Sequence, residues 1–215
     1  MKTGLLFDLD GTLLDTLEDL LDATNYALDH HGYPLRTLEQ LRAVVGNGAA
    51  NQIRKSLPPE TPEEQVAQVL ATYKAYYAQH CQIKTAPYPG IRWALEELAK
   101  KYPIAIVSNK PDIAVKALCR DWFPGIFALG EHTGCPRKPA PDMVHRAMAA
   151  IGAERGIYIG DSEVDILTAA NAGVPSLSVT WGFRSEETLL SSGATHLCRS
   201  PETLTETIEE MIHGQ

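Results

Sequence analysis

The chain has 215 residues, 44% hydrophobic and 21% charged, with a net charge of −8. That length buries one large core, or one core carrying a smaller inserted module. The acidic balance argues against a nucleic-acid partner, whose phosphates would be repelled, and no run approaches the about 18 apolar residues of a membrane span.

The first element is the apolar run Gly4-Leu5-Leu6-Phe7, read as a strand. It ends in Asp8-Leu9-Asp10-Gly11-Thr12, two carboxylates two residues apart at the start of a loop. Anions that close raise each other's pKa, so folding gains nothing from the pair unless a cation or a phosphoryl group offsets the repulsion. A turn that merely caps a helix needs one Asp. From Leu17 the apolar positions Leu17, Leu20, Leu21, Thr24, Ala27 and Leu28 follow helical spacing, with Gly32 as a stop. The adjacent His30-His31 falls at that helix's end. Thr37 and Gln40 suit a capping box for a second short helix. A third helix is expected after Gly46-Asn47-Gly48, ending at Pro58-Pro59. Thr61, Pro62 and Glu64 read as N-cap, first-turn proline and capping-box partner of a fourth, carrying Val66, Val69, Leu70, Tyr73 and Tyr77.

Beyond Pro87 the pattern alternates. Pro89-Gly90 opens a helix through Leu98. Ile104–Val107 is a continuous apolar run, as in a strand buried on both faces. Helix 113–122, strand 126–129, helix 142–151, strand 156–159, helix 166–172, strand 175–179, short helix 186–190, strand 195–197 and helix 201–212 complete the chain. Strand and helix in turn give the α/β class: a doubly wound, Rossmann-like parallel sheet. The helix-only stretch after the first strand is far longer than a crossover needs. It is read as an inserted all-helical cap, residues 15–86, with the core formed by 1–14 and 87–215.

In such sheets ligands bind beyond the carboxyl ends of the strands. There the sequence supplies Asp8 and Asp10, Ser108-Asn109-Lys110, Arg137-Lys138-Pro139, and Gly160-Asp161-Ser162 with Asp165. Ser108 and Asn109 alone would read as a helix cap, Lys138 as a solvated loop cation, and Asp161 and Asp165 as helix N-terminal acids. A hydroxyl, an amide, a cation and four carboxylates on one rim are the parts of metal-assisted phosphoryl transfer. There is no G-x-x-x-x-G-K-[ST] and no G-x-S-x-G, so neither a Walker-type nucleotide site nor a serine-hydrolase elbow is expected. Cys81, Cys119, Cys135 and Cys198 form no C-x-x-C pair and are expected to be idle thiols. With no signal-peptide pattern at the first residues, a cytoplasmic location is the expectation.

With these four motifs in order, the chain resembles the haloacid dehalogenase (HAD) superfamily of phosphohydrolases with a helical cap. Within it, Val45-Gly46-Asn47-Gly48, Ser108-Asn109-Lys110-Pro111 and Val179-Thr180-Trp181-Gly182-Phe183 are similar to the phosphoglycolate phosphatase group. The resemblance implies Asp8 as nucleophile and Asp10 as general acid and base. It implies Mg²⁺ held by Asp8, Asp161 and the Asp10 carbonyl, with Asp165 orienting that shell. Ser108, Asn109 and Lys138 would bind the phosphoryl group. For a substrate as small as 2-phosphoglycolate a cation should meet the carboxylate, and Lys110, Arg54, Arg42 and Arg184 are the candidates. The implied partner is a small phosphorylated metabolite, with no nucleic acid or membrane, the chain acting as monomer or homodimer. Hinges are expected near Leu14–Thr16 and Ala86–Gly90. Other phosphatase substrates (pyrophosphate, a sugar phosphate, a nucleotide) and a phosphomutase of the same superfamily stay open. Outside enzymes, a phospho-switch or an inactive binding protein is the alternative.

Overall fold

The computed structural model of the protein describes residues 2–214. Strand β1 (Thr3–Phe7) leads into the two-residue β2 (Leu14–Asp15). Four helices follow: α1 (Leu17–His30), α2 (Leu38–Arg42), α3 (Gly48–Ser56) and α4 (Glu63–His80). The short β3 (Ala86–Pro87) and α5 (Ile91–Ala99) precede β4 (Ile104–Pro111), α6 (Asp112–Trp122), β5 (Phe127–Glu131) and α7 (Asp142–Ala150). Then come β6 (Arg155–Gly160), α8 (Glu163–Ala172), β7 (Ser176–Val179), α9 (Glu186–Ser191), β8 (Leu197–Cys198) and α10 (Leu204–His213).

Six strands form one parallel sheet in the order β5-β4-β1-β6-β7-β8. Alternation along β1 sorts its side chains between two cores, as a pleat requires. Leu5 and Phe7 join Ile104, Ile106, Ile157 and Ile159 under α5, α6 and α10. Leu6 joins Ala105, Val107 and Tyr158 under α7 and α8. Each large apolar side chain so buried contributes about 1.5–3 kcal/mol. The chain leaves β1 for β4 on one side and later for β6 on the other. β1 is therefore the switch point, where an open parallel sheet leaves a crevice at its carboxyl edge.

Helices α1–α4 hold a separate cluster that includes Leu28, Leu41, Ile53, Val69 and Tyr73. The chain enters and leaves this segment side by side. β2 and β3 pair antiparallel, and the Asp19 carboxylate accepts from the Lys84 N–H (3.0 Å) and the Thr85 N–H (2.8 Å). Phe183, in the loop beyond β7, packs into the helical cluster.

Three local expectations are corrected. The Thr61 capping box does not form: Pro62, at φ −58° and ψ 144°, takes the N-cap position itself with no side-chain cap. The helix starts at Glu63, which puts Thr61 one residue too far out to reach its first turn. Strand β4 does not stop at Val107. After a register shift it pairs Pro111 with Glu131, so Ser108, Asn109 and Lys110 lie on the strand itself. The last strand is displaced to Leu197–Cys198, and the final helix begins as a separate 3-10 turn, Pro201–Thr203, capped by Ser200. The Thr37–Gln40 capping box is present.

Candidate active site

The site is built at the carboxyl ends of β1, β4 and β6, where the backbone turns away from sheet pairing and frees side chains. Asp8 leaves β1 with its own N–H still bonded to the Ile159 carbonyl (2.8 Å), which fixes its direction. Lys138 reaches in from the loop between β5 and α7 and is fully buried. Its ammonium lies 2.9 Å from Asp8 Oδ1, 2.8 Å from Asp165 Oδ1 and 3.0 Å from the Tyr158 hydroxyl. Those three acceptors use all three N–H bonds of the group. The Tyr158 hydroxyl donates in turn to the Val107 carbonyl at 3.0 Å.

Asp161 follows β6 and is held from both sides. Its Oδ1 accepts from the Thr12 hydroxyl (3.2 Å) and its Oδ2 from the Phe183 N–H (2.7 Å). Gly11, at φ +83°, and Gly182 are needed here, because a Cβ at either position would collide with the Asp161 side chain. Asp165 serves two structures at once. Its Oδ1 holds Lys138, while its Oδ2 accepts from the Ser162 N–H (3.1 Å) and hydroxyl (2.6 Å) in the capping box of α8. The Asp10 carboxylate stands apart from this cluster, accepting at Oδ1 from Lys110 Nζ and from the Thr16 hydroxyl, both at 2.6 Å. The Ser108 hydroxyl accepts from the Lys110 N–H at 3.2 Å. The Asn109 side-chain amide donates to the Lys138 carbonyl (3.0 Å) and, across to the helical segment, to the Gly46 carbonyl (3.3 Å).

Burial pushes the Asp8 carboxyl up to about 7; Lys138 opposes the shift and Asp165 adds to it. Asp161 lies well above the usual carboxylate range, from burial and then from Asp165 and Asp8. Burial also disfavours the Lys138 charge, but the carboxylates of Asp165 and Asp8 outweigh it and hold the ammonium well above its ordinary value. Asp8, Asp161 and Asp165 each offer a ligand atom, all within 4.8 Å of one another. Three buried carboxylates thus face one buried ammonium, an excess of negative charge that the fold alone leaves uncompensated. The donors are all oxygen, the preference of a hard divalent cation. The residues present fit Mg²⁺.

A cavity of about 40 Å³ opens on Asp8 and Asp10 between the sheet and the helical segment. Leu20, Ala49, Gln52, Tyr73 and Tyr77 form its far wall, and Ser108, Asn109 and Lys110 its near one. Of the four candidate cations, the structure brings only Lys110 to this cavity. Arg54 bonds the carbonyls of Pro58 and Pro59. Arg42 is exposed. Arg184 pairs with Glu163 (2.8 Å) and donates to the Arg42 and Val45 carbonyls (2.8 Å each), tying the loop after β7 to the helical segment.

Sequence reasoning missed several contributors. Tyr158 carries the one visible signal, a hydroxyl in an otherwise apolar strand. Gln52 and the far-wall tyrosines read from sequence as ordinary core positions of amphipathic helices. Thr12, Thr16 and the Phe183 N–H act through contacts that only the fold creates.

A family model for haloacid dehalogenase-like hydrolases matches residues 5–179. A phosphoglycolate phosphatase of Rhodobacter capsulatus is 36% identical over 191 residues, covering 86% of this chain and 87% of its own. One from Xanthomonas campestris pv. campestris is 34% identical over 213 residues, covering 94% and 95%. The crystal structure of a phosphoglycolate phosphatase candidate from Lactobacillus delbrueckii subsp. bulgaricus superposes with a TM-score of 0.91 at 39% identity, over 100% of both chains. The acidic cluster at the sheet's switch point, the helical segment over it and these matches agree: the chain belongs to the haloacid dehalogenase-like hydrolase family.

Proposed function

We propose that this hydrolase is a Mg²⁺-dependent phosphomonoesterase that works through an aspartyl-phosphate on Asp8 and acts on 2-phosphoglycolate or an ester of similar size. The observation that carries this reading is the Asp8 carboxylate, held 2.9 Å from a buried lysine and opening into a cavity of about 40 Å³. The names of its relatives point the same way.

Asp8 attacks phosphorus, and the ester P–O bond breaks as the Asp8–phosphorus bond forms. Asp10, beside the entering leaving group, gives its proton to the departing alkoxide oxygen. It then takes a proton from the water that attacks the aspartyl-phosphate, releasing inorganic phosphate and restoring Asp8. Lys138 stands where charge develops on the phosphoryl oxygens and favours the ionised form of Asp8. The Ser108 hydroxyl and the Asn109 N–H bind the remaining phosphoryl oxygens. Asp8, Asp161 and the Asp10 carbonyl would hold Mg²⁺, which supplies positive charge to the phosphoryl group and relieves the repulsion among the carboxylates. Asp165 positions Lys138. Residues 15–86 act as the cap, with hinges at the paired β2 and β3 crossings, and exclude water when closed. The partner is a small phosphorylated metabolite, met by a monomer or homodimer.

A phosphate-release screen with Mg²⁺ tests this. Phosphoglycolate, pyrophosphate, sugar phosphates and nucleotides are compared by kcat/KM. A marked preference for phosphoglycolate supports the reading, and a flat profile replaces it with a general phosphatase. Transfer to a sugar without phosphate release replaces it with a mutase.

A further inference from the structure

Two buried lysines flank the reacting carboxylates, and they differ in what their ammonium groups still lack. Lys138 has three acceptors for three N–H bonds: Asp8, Asp165 and Tyr158. Lys110 is as thoroughly buried, with 6% of its surface exposed, but among the described residues its Nζ has one hydrogen-bond acceptor, Asp10 Oδ1. Its other near neighbour is the face of Tyr77, whose ring centroid lies 4.9 Å from Nζ. An aromatic face favours the positive charge but satisfies an N–H donor far less than an oxygen acceptor does. Buried ammonium groups are costly when donors go unfilled. Two N–H bonds of Lys110 thus have no protein oxygen or nitrogen as acceptor and face a cavity where, among the described residues, it is the sole cation in the lining.

The position of those donors sets what they meet. Lys110 binds Asp10, not Asp8, so it stands on the leaving-group side of the cavity and not on the nucleophile side. The cavity has room for only a few water-sized groups at about 10–15 Å³ each. A ligand group reaching Lys110 must be short, and two free N–H bonds on one ammonium favour a carboxylate over a hydroxyl.

We propose that Lys110 is the specificity-determining residue of this site: it takes the carboxylate of a short leaving group, and Tyr77 positions it by stacking under the ammonium. This rests on the phosphomonoesterase reading above and names its substrate class: phosphate esters of small hydroxy acids. Tyr77 contributes its ring. Its hydroxyl is buried without a hydrogen-bond partner, so the polar end does not hold Lys110.

The test compares two esters of equal length, phosphoglycolate and 2-hydroxyethyl phosphate, which differ in carboxylate against hydroxyl. The readout is the ratio of their kcat/KM values within each variant, so a general loss of activity cancels. The wild-type protein favours phosphoglycolate by about 10- to 100-fold, the worth of a charge-assisted contact. Lys110→Met brings the ratio to within about threefold of one, through KM for phosphoglycolate more than through kcat. Lys110→Arg keeps part of the preference. Tyr77→Phe keeps it, and Tyr77→Leu loses much of it. Where Lys110→Met is too slow for kinetics, the same ratio is read as Kd by calorimetry in the Asp8→Asn background. A wild-type protein that prefers phosphoglycolate while Lys110→Met prefers it equally overturns the role of Lys110 and leaves the phosphatase intact. A wild-type protein that hydrolyses both esters alike overturns the substrate class. One that hydrolyses neither overturns the underlying reading as well.

Discussion

The two walls of the cavity are built by different physics. On the sheet side every charged group is tied to another. Lys138 bridges Asp8 and Asp165, Asp161 is gripped by Thr12 and Phe183, and Asp165 doubles as a helix cap. On the helical side the wall is mostly packed apolar and aromatic side chains, and its polar member Gln52 donates to the Thr24 hydroxyl at 2.9 Å. The first wall fixes the direction of its charged groups, as bond-making requires. The second fixes volume and shape, which is how a site discriminates among leaving groups. On the proposed reading the two walls divide the labour: chemistry belongs to the sheet edge, selection to the cavity facing it.

The sharpest way to break that division is to change the sheet side and look for selective loss. Asp8→Asn should cut turnover of every ester alike by at least about 10⁴-fold in a phosphate-release assay, as removal of a covalent nucleophile does. Residual activity near the wild-type level would show that Asp8 is not the attacking group. Asp10→Asn should lower kcat by about 10²- to 10⁴-fold with little change in KM. A change confined to one substrate would move Asp10 to the selecting wall.

Next in size is the electrostatic cost of the acidic cluster without its cation. Asp8 titrates near 7 in the fold against an ordinary 3.8, so its ionised form is disfavoured by folding. The stability that protonation of Asp8 contributes is fully present below about pH 3.8, is lost as pH rises, and is gone above about pH 7. Chelator-treated protein should therefore lose Tm from about pH 4 to about pH 7. Added Mg²⁺ should raise Tm by an increment that grows over the same interval, because it binds the deprotonated carboxylates. Asp8→Asn should flatten the chelator curve in differential scanning calorimetry. A constant increment with pH would deny the cation a place at these carboxylates.

The smallest effect concerns the strap between the two walls. Burial is the largest influence on Glu163 and disfavours its charge, but the bond and charge of Arg184, with a backbone hydrogen bond and Lys55, together outweigh it and lower the pKa. The same guanidinium holds two carbonyls of the helical segment. Arg184→Ala should cost about 1 kcal/mol, a fall in Tm of about 2–4 °C. It should raise KM more than it lowers kcat, because it loosens the selecting wall and leaves the sheet edge alone. An equal loss in both parameters would join the two walls into one catalytic unit.

Much of the core was legible because its signals are local. The run Gly4–Phe7 is too short and apolar for anything but a buried strand, and Asp8 follows from where that run ends. The same holds for Asp161 after Ile157–Ile159. Lys138 was legible only as one of several polar groups beyond the strand ends, since an Arg-Lys-Pro loop taken alone reads as solvated; its burial against Asp8 and Asp165, from two other segments, was not. The Thr61 cap failed because Pro62, whose ring fixes only φ, takes an extended ψ of 144° and becomes the N-cap itself. The stretch Ser108–Lys110 was misplaced into a loop, since register with β5, not composition, prolongs β4 to Pro111.

The order of strands and helices, the helical insertion and the acidic residues at strand ends were settled by the sequence alone, because periodicity and turn chemistry act over a few residues. Which of the four candidate cations lines the cavity was not. Lys110, Arg42, Arg54 and Arg184 are equivalent as letters. Only the way the helical segment sits over the sheet brings Tyr77 within 4.9 Å of Lys110 and leaves the three arginines elsewhere. Such meetings depend on how whole elements cross, and no local propensity encodes that.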